Sequence, residues 1–149
     1  MMRKVLLASV MMVALSGCQM TSQPQADWKQ DNKIEVMDAK IQLNSAVWVD
    51  QMPTIGEERD ESKVNFALTL TSEQVIAPEL VIDKVLLRQG DNSWPLSDEE
   101  FEVRVHDNHT WEIAGQSFYD IDAAQPVDIA IEANNEWIVE TDVQIDTVY

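Results

Sequence analysis

The sequence predicts an all-β protein, an antiparallel two-sheet β-sandwich, and three observations carry that prediction. Apolar residues recur at every second position through most of the chain after Lys33. Clusters of Gly, Asn, Asp, Ser and Pro interrupt these runs at strand-length intervals. No long amphipathic helix and no internal repeat follows the first twenty residues.

In chain order, the first strand begins at Lys33, and its phase slips by one residue around Val36 and Met37, which predicts a bulge or a break between two strands. Ile41, Leu43, Val47 and Val49 share one phase; Val64, Phe66, Leu68 and Leu70 share the next. Phe101, Val103 and Val105 continue the pattern, as do Val127, Ile129 and Ile131. The last run, Trp137, Val139, Thr141, Val143 and Ile145, is the longest. Turns are expected at Met52 to Ser62, Gly90 to Ser93, Asp107 to His109 and Ala133 to Asn135. Ser97-Asp98-Glu99-Glu100 has the spacing of a capping box and predicts one helical turn. The size and strand spacing are immunoglobulin-like, but the Cys, Trp, Cys core pattern of true immunoglobulin domains is missing, so the likeness is one of architecture.

Register tests the one histidine pair. A two-residue loop at Asp107-Asn108 would set His106 opposite His109, ready to chelate, but would send Trp111 and Ile113 to the face opposite Val103 and Val105. A three-residue loop, Asp107 to His109, instead pairs Val105 with Trp111 and Val103 with Ile113, and sets Arg104 against Glu112. It places His106 opposite Thr110 and calls for a left-handed residue at Asn108 or His109. No shared metal site is then expected.

The same logic applied to the last hairpin pairs Ile131 with Trp137 and Ile129 with Val139. Glu132 then opposes Glu136 and Asp128 opposes Glu140, an outward row of carboxylates. Such a row can bind calcium through several oxygens, dock a basic surface, or simply discourage sheet association. Trp111 and Trp137 fall in the inward phase. Trp48 falls among Gln42, Asn44 and Asp50, outward, and is followed by Met52, Pro53 and Ile55. With Met52 and Ile55 it forms a candidate partner-binding surface, for a sugar ring or another protein, unless the loop covers it.

The amino terminus carries a different message. Arg3 and Lys4 precede an apolar stretch from Val5 to Leu15, too short to span a bilayer, followed by Ser16, Gly17 and Cys18, the sole cysteine. Leu15-Ser16-Gly17-Cys18 resembles the lipobox of bacterial lipoproteins. The resemblance implies cleavage before Cys18, acylation of the Cys18 sulfur and of the new amino terminus, and, because Gln19 is not aspartate, sorting to the outer membrane, facing the periplasm. The expected organisation is a signal peptide over 1–17, a lipidated cysteine and flexible tether over 18–32, and one β-sandwich domain over 33–149.

The formal charge is −17, and loss of Arg3 and Lys4 makes the mature chain still more acidic. That excludes a nucleic-acid partner and leaves membrane attachment to the lipid rather than to a basic patch. With Cys18 consumed, no disulfide is available, so stability must come from a core. No catalytic motif appears, and glycine is scarce. The sequence is thus read as a non-catalytic binding or accessory module for an envelope protein, without cofactor beyond the lipid. The alternatives are a glycan- or calcium-binding module, using Trp48 or the row Asp128, Glu132, Glu136 and Glu140, and then a hydrolase.

Overall fold

The computed structural model describes residues 26–50 and 62–148. The strands are β1 (Lys33–Val36), β2 (Ala39–Asp50), β3 (Ser62–Ser72), β4 (Ile82–Gln89), β5 (Asn92–Pro95), β6 (Phe101–Asp107), β7 (Thr110–Tyr119), β8 (Val127–Ala133), β9 (Glu136–Val143) and β10 (Ile145–Val148). No helix occurs among the described residues. Sheet A runs β1-β2-β3-β7-β6 with β10 also on β2; sheet B runs β5-β4-β8-β9. The two sheets enclose one core, in which Phe66, Leu68, Leu70 and Ile113 from sheet A meet Val85, Leu87, Ile129 and Ile131 from sheet B. The molecule is a β-sandwich. Every neighbouring pair of strands is antiparallel except β10 and β2, which run parallel.

Local chemistry explains most of the turns. The phase slip at Val36 is a break: Met37 and Asp38 both take positive φ, 49° and 63°, and form the two-residue corner joining Val36 to its partner Ala39. Asn134 and Asn135, at 47° and 64°, make the same corner between β8 and β9. Asn tolerates this left-handed geometry at low cost. Ser97 to Glu100 closes as a turn rather than a helix, and only half of the capping box forms: Ser97 N donates to Glu100 Oε1 at 3.0 Å, but Glu100 N donates to the Ser97 carbonyl oxygen at 2.9 Å, and the Ser97 hydroxyl itself donates to Glu100 Oε1 at 3.0 Å.

Two expectations about the last strands are corrected. The Asn134-Asn135 corner pairs Ala133 with Glu136, Glu132 with Trp137 and Ile131 with Ile138, one residue from the expected register. Ile138 therefore enters the core, while Trp137 and Val139 face the other side of sheet B. The long final run is also not one strand. A bulge opposite Val127–Ile129, with Asp142 at φ 57°, turns the chain, and β10 leaves sheet B to lie against Val47 to Asp50 of sheet A.

The outer face of sheet B carries an apolar patch of its own between the ion pairs Lys84–Glu132 and Arg88–Asp128. Leu86, Ala130 and Val139 form a second cluster outside the main core, covered by Ala26 and the flanking Trp28 and Trp137. Residues 26–32, read from sequence as the end of a flexible tether, thus lie along the sheet. Val139 N donates to Asp31 O at 3.1 Å and Leu43 N to Asn32 O at 2.8 Å, so this segment stitches β9 to β2. Trp28 lies 4.1 Å from the Arg88 guanidinium, which is itself held by Asp128 at 2.7 Å.

Candidate functional site

The outer face of sheet A is built by three cross-strand rows. Ala46, Ala67 and Ala114 are direct partners across β2, β3 and β7, and Ala114 pairs in turn with Glu102 of β6. On one side runs Asp146, Trp48, Asn65 and Gln116; on the other, Asn44, Thr69, Glu112 and Arg104. Three methyl groups between two rows of longer side chains leave a trough. Its volume is about 850 Å³, and Trp48, Ala67, Glu99, Glu102, Arg104, Glu112, Ala114 and Gln116 are among its lining residues. Strict alternation places Trp48 here, half-buried and outward as the sequence predicts.

The guanidinium at the far wall is not free. Arg104 pairs with Glu102 on its own strand and with Glu112 at 3.3 Å, and the Glu102 hydrogen bond and charge push its pKa up. His106 Nε2 stands 3.5 Å from the other oxygen of Glu112. Near the end of the trough, burial works against the Glu100 carboxylate, but hydrogen bonds from Ser117, the Ser97 backbone, Tyr119 and the Ser97 hydroxyl outweigh it and hold its pKa below the usual value. Tyr119 Oη donates to Glu100 Oε2 at 2.9 Å, and burial together with that bond raises the phenol's pKa. Glu100 also passes over Gly115: a Cβ there would meet the Glu100 carbonyl oxygen at 2.0 Å and Phe66 Cζ at 2.7 Å. This close approach explains the glycine in the middle of β7.

A second feature lies on the inner side of β6. Phe101, Val103 and Val105 pair with Gly115, Ile113 and Trp111, as the sequence predicts, and Arg104 faces Glu112. Burial, however, does not follow the alternation. Trp111 and Ile113 are covered, whereas Val103 is 40% and Val105 61% exposed. Sheet B ends at the four-residue strand β5 and does not reach over them. Among the described residues β6 pairs only with β7, and none of them covers its other edge with a strand.

The histidines do different jobs. A bulge between Val105 and Asp107 sets Asp107, not His106, opposite Thr110, and Asn108-His109 form a two-residue turn without positive φ. His109 Nδ1 lies 2.9 Å from the Gln74 carbonyl oxygen, away from the Glu112 contact of His106. The expected carboxylate row does not form either. Asp128 and Glu132 face outward from sheet B, where Asp128 holds Arg88 and accepts from Asp142 N at 3.1 Å, and Glu132 stands 4.0 Å from Lys84. Glu136 and Glu140 belong to the opposite phase of β9, and Glu140 Oε1 accepts from Ser45 N at 2.8 Å. Among the described residues no group of three or more acidic, His or Cys side chains is placed to hold a metal ion. Trp94 packs on the core with its ring 5.7 Å from that of Tyr119. Cys18, Met52 and Ile55 lie outside the described residues.

The trough floor was missed from sequence because alanine gives no signal on its own; the in-register row Ala46, Ala67, Ala114 becomes visible only once strand pairing is known. No protein-family model matches the chain, and neither curated proteins nor solved structures yield a match.

Proposed function

We propose that the chain is a lipid-anchored, non-catalytic accessory module of the bacterial outer membrane that holds an envelope protein along β6. The observation that carries the reading is the β6 edge, which no described strand covers, with Val103 and Val105 exposed beside a buried core. An edge strand presents unpaired backbone donors and acceptors, and two uncovered valines on alternate positions add an apolar strip beside them. Such a surface suits an extended segment of a partner that adds a strand, with its own apolar side chains meeting Val103 and Val105. The acidic surroundings, within a chain of formal charge −17, favour basic residues at the partner's remaining positions. The lipid anchor rests on the Leu15-Ser16-Gly17-Cys18 resemblance, and the non-catalytic reading on the lack of a recognised catalytic motif in the sequence.

The test is photo-crosslinking in cells from a reactive group placed at Val105, with the same group at Gln42 on the opposite face as control. One dominant envelope protein captured from Val105 alone is expected. Equal capture from both positions, or none, would sink the β6 assignment. Membrane fractionation and mass spectrometry of wild type and Cys18→Ala test the anchor separately: the variant should lose the acyl mass and appear in the soluble fraction.

A further inference from the structure

We infer that the alanine-floored trough on the outer face of sheet A binds a linear, uncharged saccharide chain, through a site separate from the β6 edge. Four features converge on that ligand class. The floor is flat and methyl-lined, because Ala67 and Ala114 lie in register across β3 and β7, with Ala46 of β2 next in the same row. Trp48 stands at one wall and offers an indole face on which a sugar ring stacks its C–H surface. Gln116 lines the trough, and Asn65, Asn44 and Thr69 lie in the cross-strand rows beside it; these neutral groups both donate and accept, which suits hydroxyl and acetamido groups at the edges of the rings. The trough crosses from β2 to β6, three strand spacings or about 14 Å, longer than a single sugar ring.

Charge narrows the class further. Glu99, Glu102 and Glu112 line the trough, and Arg104, the lining cation, is already paired to both Glu102 and Glu112. An anionic ligand would meet carboxylates with no free guanidinium to receive it, at the cost of like-charge repulsion. A neutral chain avoids that repulsion. The flat floor favours an extended ribbon, the shape of β-1,4-linked sugars, over a coiled α-linked chain. A basic peptide would meet Glu102 and Glu112 already paired with Arg104, and an acyl chain would leave the neighbouring amides unpaired.

Calorimetric titration of the full chain, in a detergent without a sugar headgroup, with chitotetraose, cellotetraose and a sulfated polysaccharide tests the proposal. Saturable heat is expected from at least one of the two neutral tetramers and none from the polyanion. Trp48→Ala and Ala114→Arg should each weaken that binding at least about tenfold, or 1.4 kcal/mol, with unchanged melting temperatures showing that both variants fold. Val105→Ser, on the other side of the sheet, should leave it unaltered. Absence of heat from both neutral tetramers overturns the proposal, as does tighter binding of the polyanion. Binding that survives both trough variants overturns the location. Binding of an oligolysine peptide lost in Trp48→Ala, with the sugars silent, would reassign the trough to a basic protein segment.

Discussion

Ala130 and Ala67 occupy comparable places, each on an inner strand with its side chain pointing away from the main core. Ala130 is fully buried, beneath the segment that carries Ala26 and Trp28, whereas Ala67 lies partly exposed in the floor of an open trough. The centre of sheet B's outer face is therefore covered, while the corresponding part of sheet A's outer face is open. The contrast teaches that a sandwich this acidic concentrates its apolar side chains asymmetrically. Sheet B buries apolar side chains on both faces, whereas the outer side of sheet A carries amides, small residues and one indole.

The sharpest way to break that comparison is to put a carboxylate on each face. Ala130→Asp buries an unpaired charge and should cost about 4 kcal/mol or more, while Ala67→Asp, solvated but among carboxylates and in mid-strand, should cost only about 1 kcal/mol. Urea titration reads both, and equal losses would erase the distinction between the faces. Next in size, Trp28→Ala should cost about 2 kcal/mol by uncovering Leu86 and Val139 and removing the ring beside Arg88. An unchanged urea midpoint would mean that residues 26–32 contribute no cover. Smaller again is the effect at the end of the trough. Glu100 has a lowered pKa in the folded chain, so its stabilisation is present above the ordinary value of 4.5 and disappears as pH falls through the folded value. Glu100→Gln should cost about 1 kcal/mol near neutral pH and flatten the acid limb of stability against pH relative to wild type. Parallel limbs for the two proteins would contradict the hydrogen-bonded carboxylate.

Legibility in the sequence follows the same division. In β2, β3 and β7 one face is buried and one is not, so alternation located the strands, set the β6–β7 pairing and put Trp48 on the correct side. In β4 the consecutive Val85, Leu86 and Leu87 are all buried, and no period-two signal marks the strand. Trp137, Ile138 and Val139 present the same ambiguity, and choosing the wrong phase slid the β8–β9 hairpin by one residue and created a carboxylate row that does not exist. The Asn134-Asn135 pair, whose amide side chains tolerate left-handed backbone, was the signal that would have fixed it. The exposure of Val103 and Val105 was not legible at all. It depends on how far the opposite sheet extends, and the shortness of β5 has no counterpart in the sequence of β6.

The parallel strand β10 imposes an order in time. Its register joins Ile145 to Val47 and Val148 to Asp50, and nearby Glu140 reaches Ser45 across 95 residues of sequence. Contacts this distant close large loops before they return any stabilisation, which places β-sandwiches among the slower-folding small domains, in the millisecond-to-second range. Until the 145–148 strand arrives, the Val47–Asp50 edge of β2 is bare, and any other extended chain within reach competes for it. Completion of sheet A thus waits on a strand made long after β2 and β3.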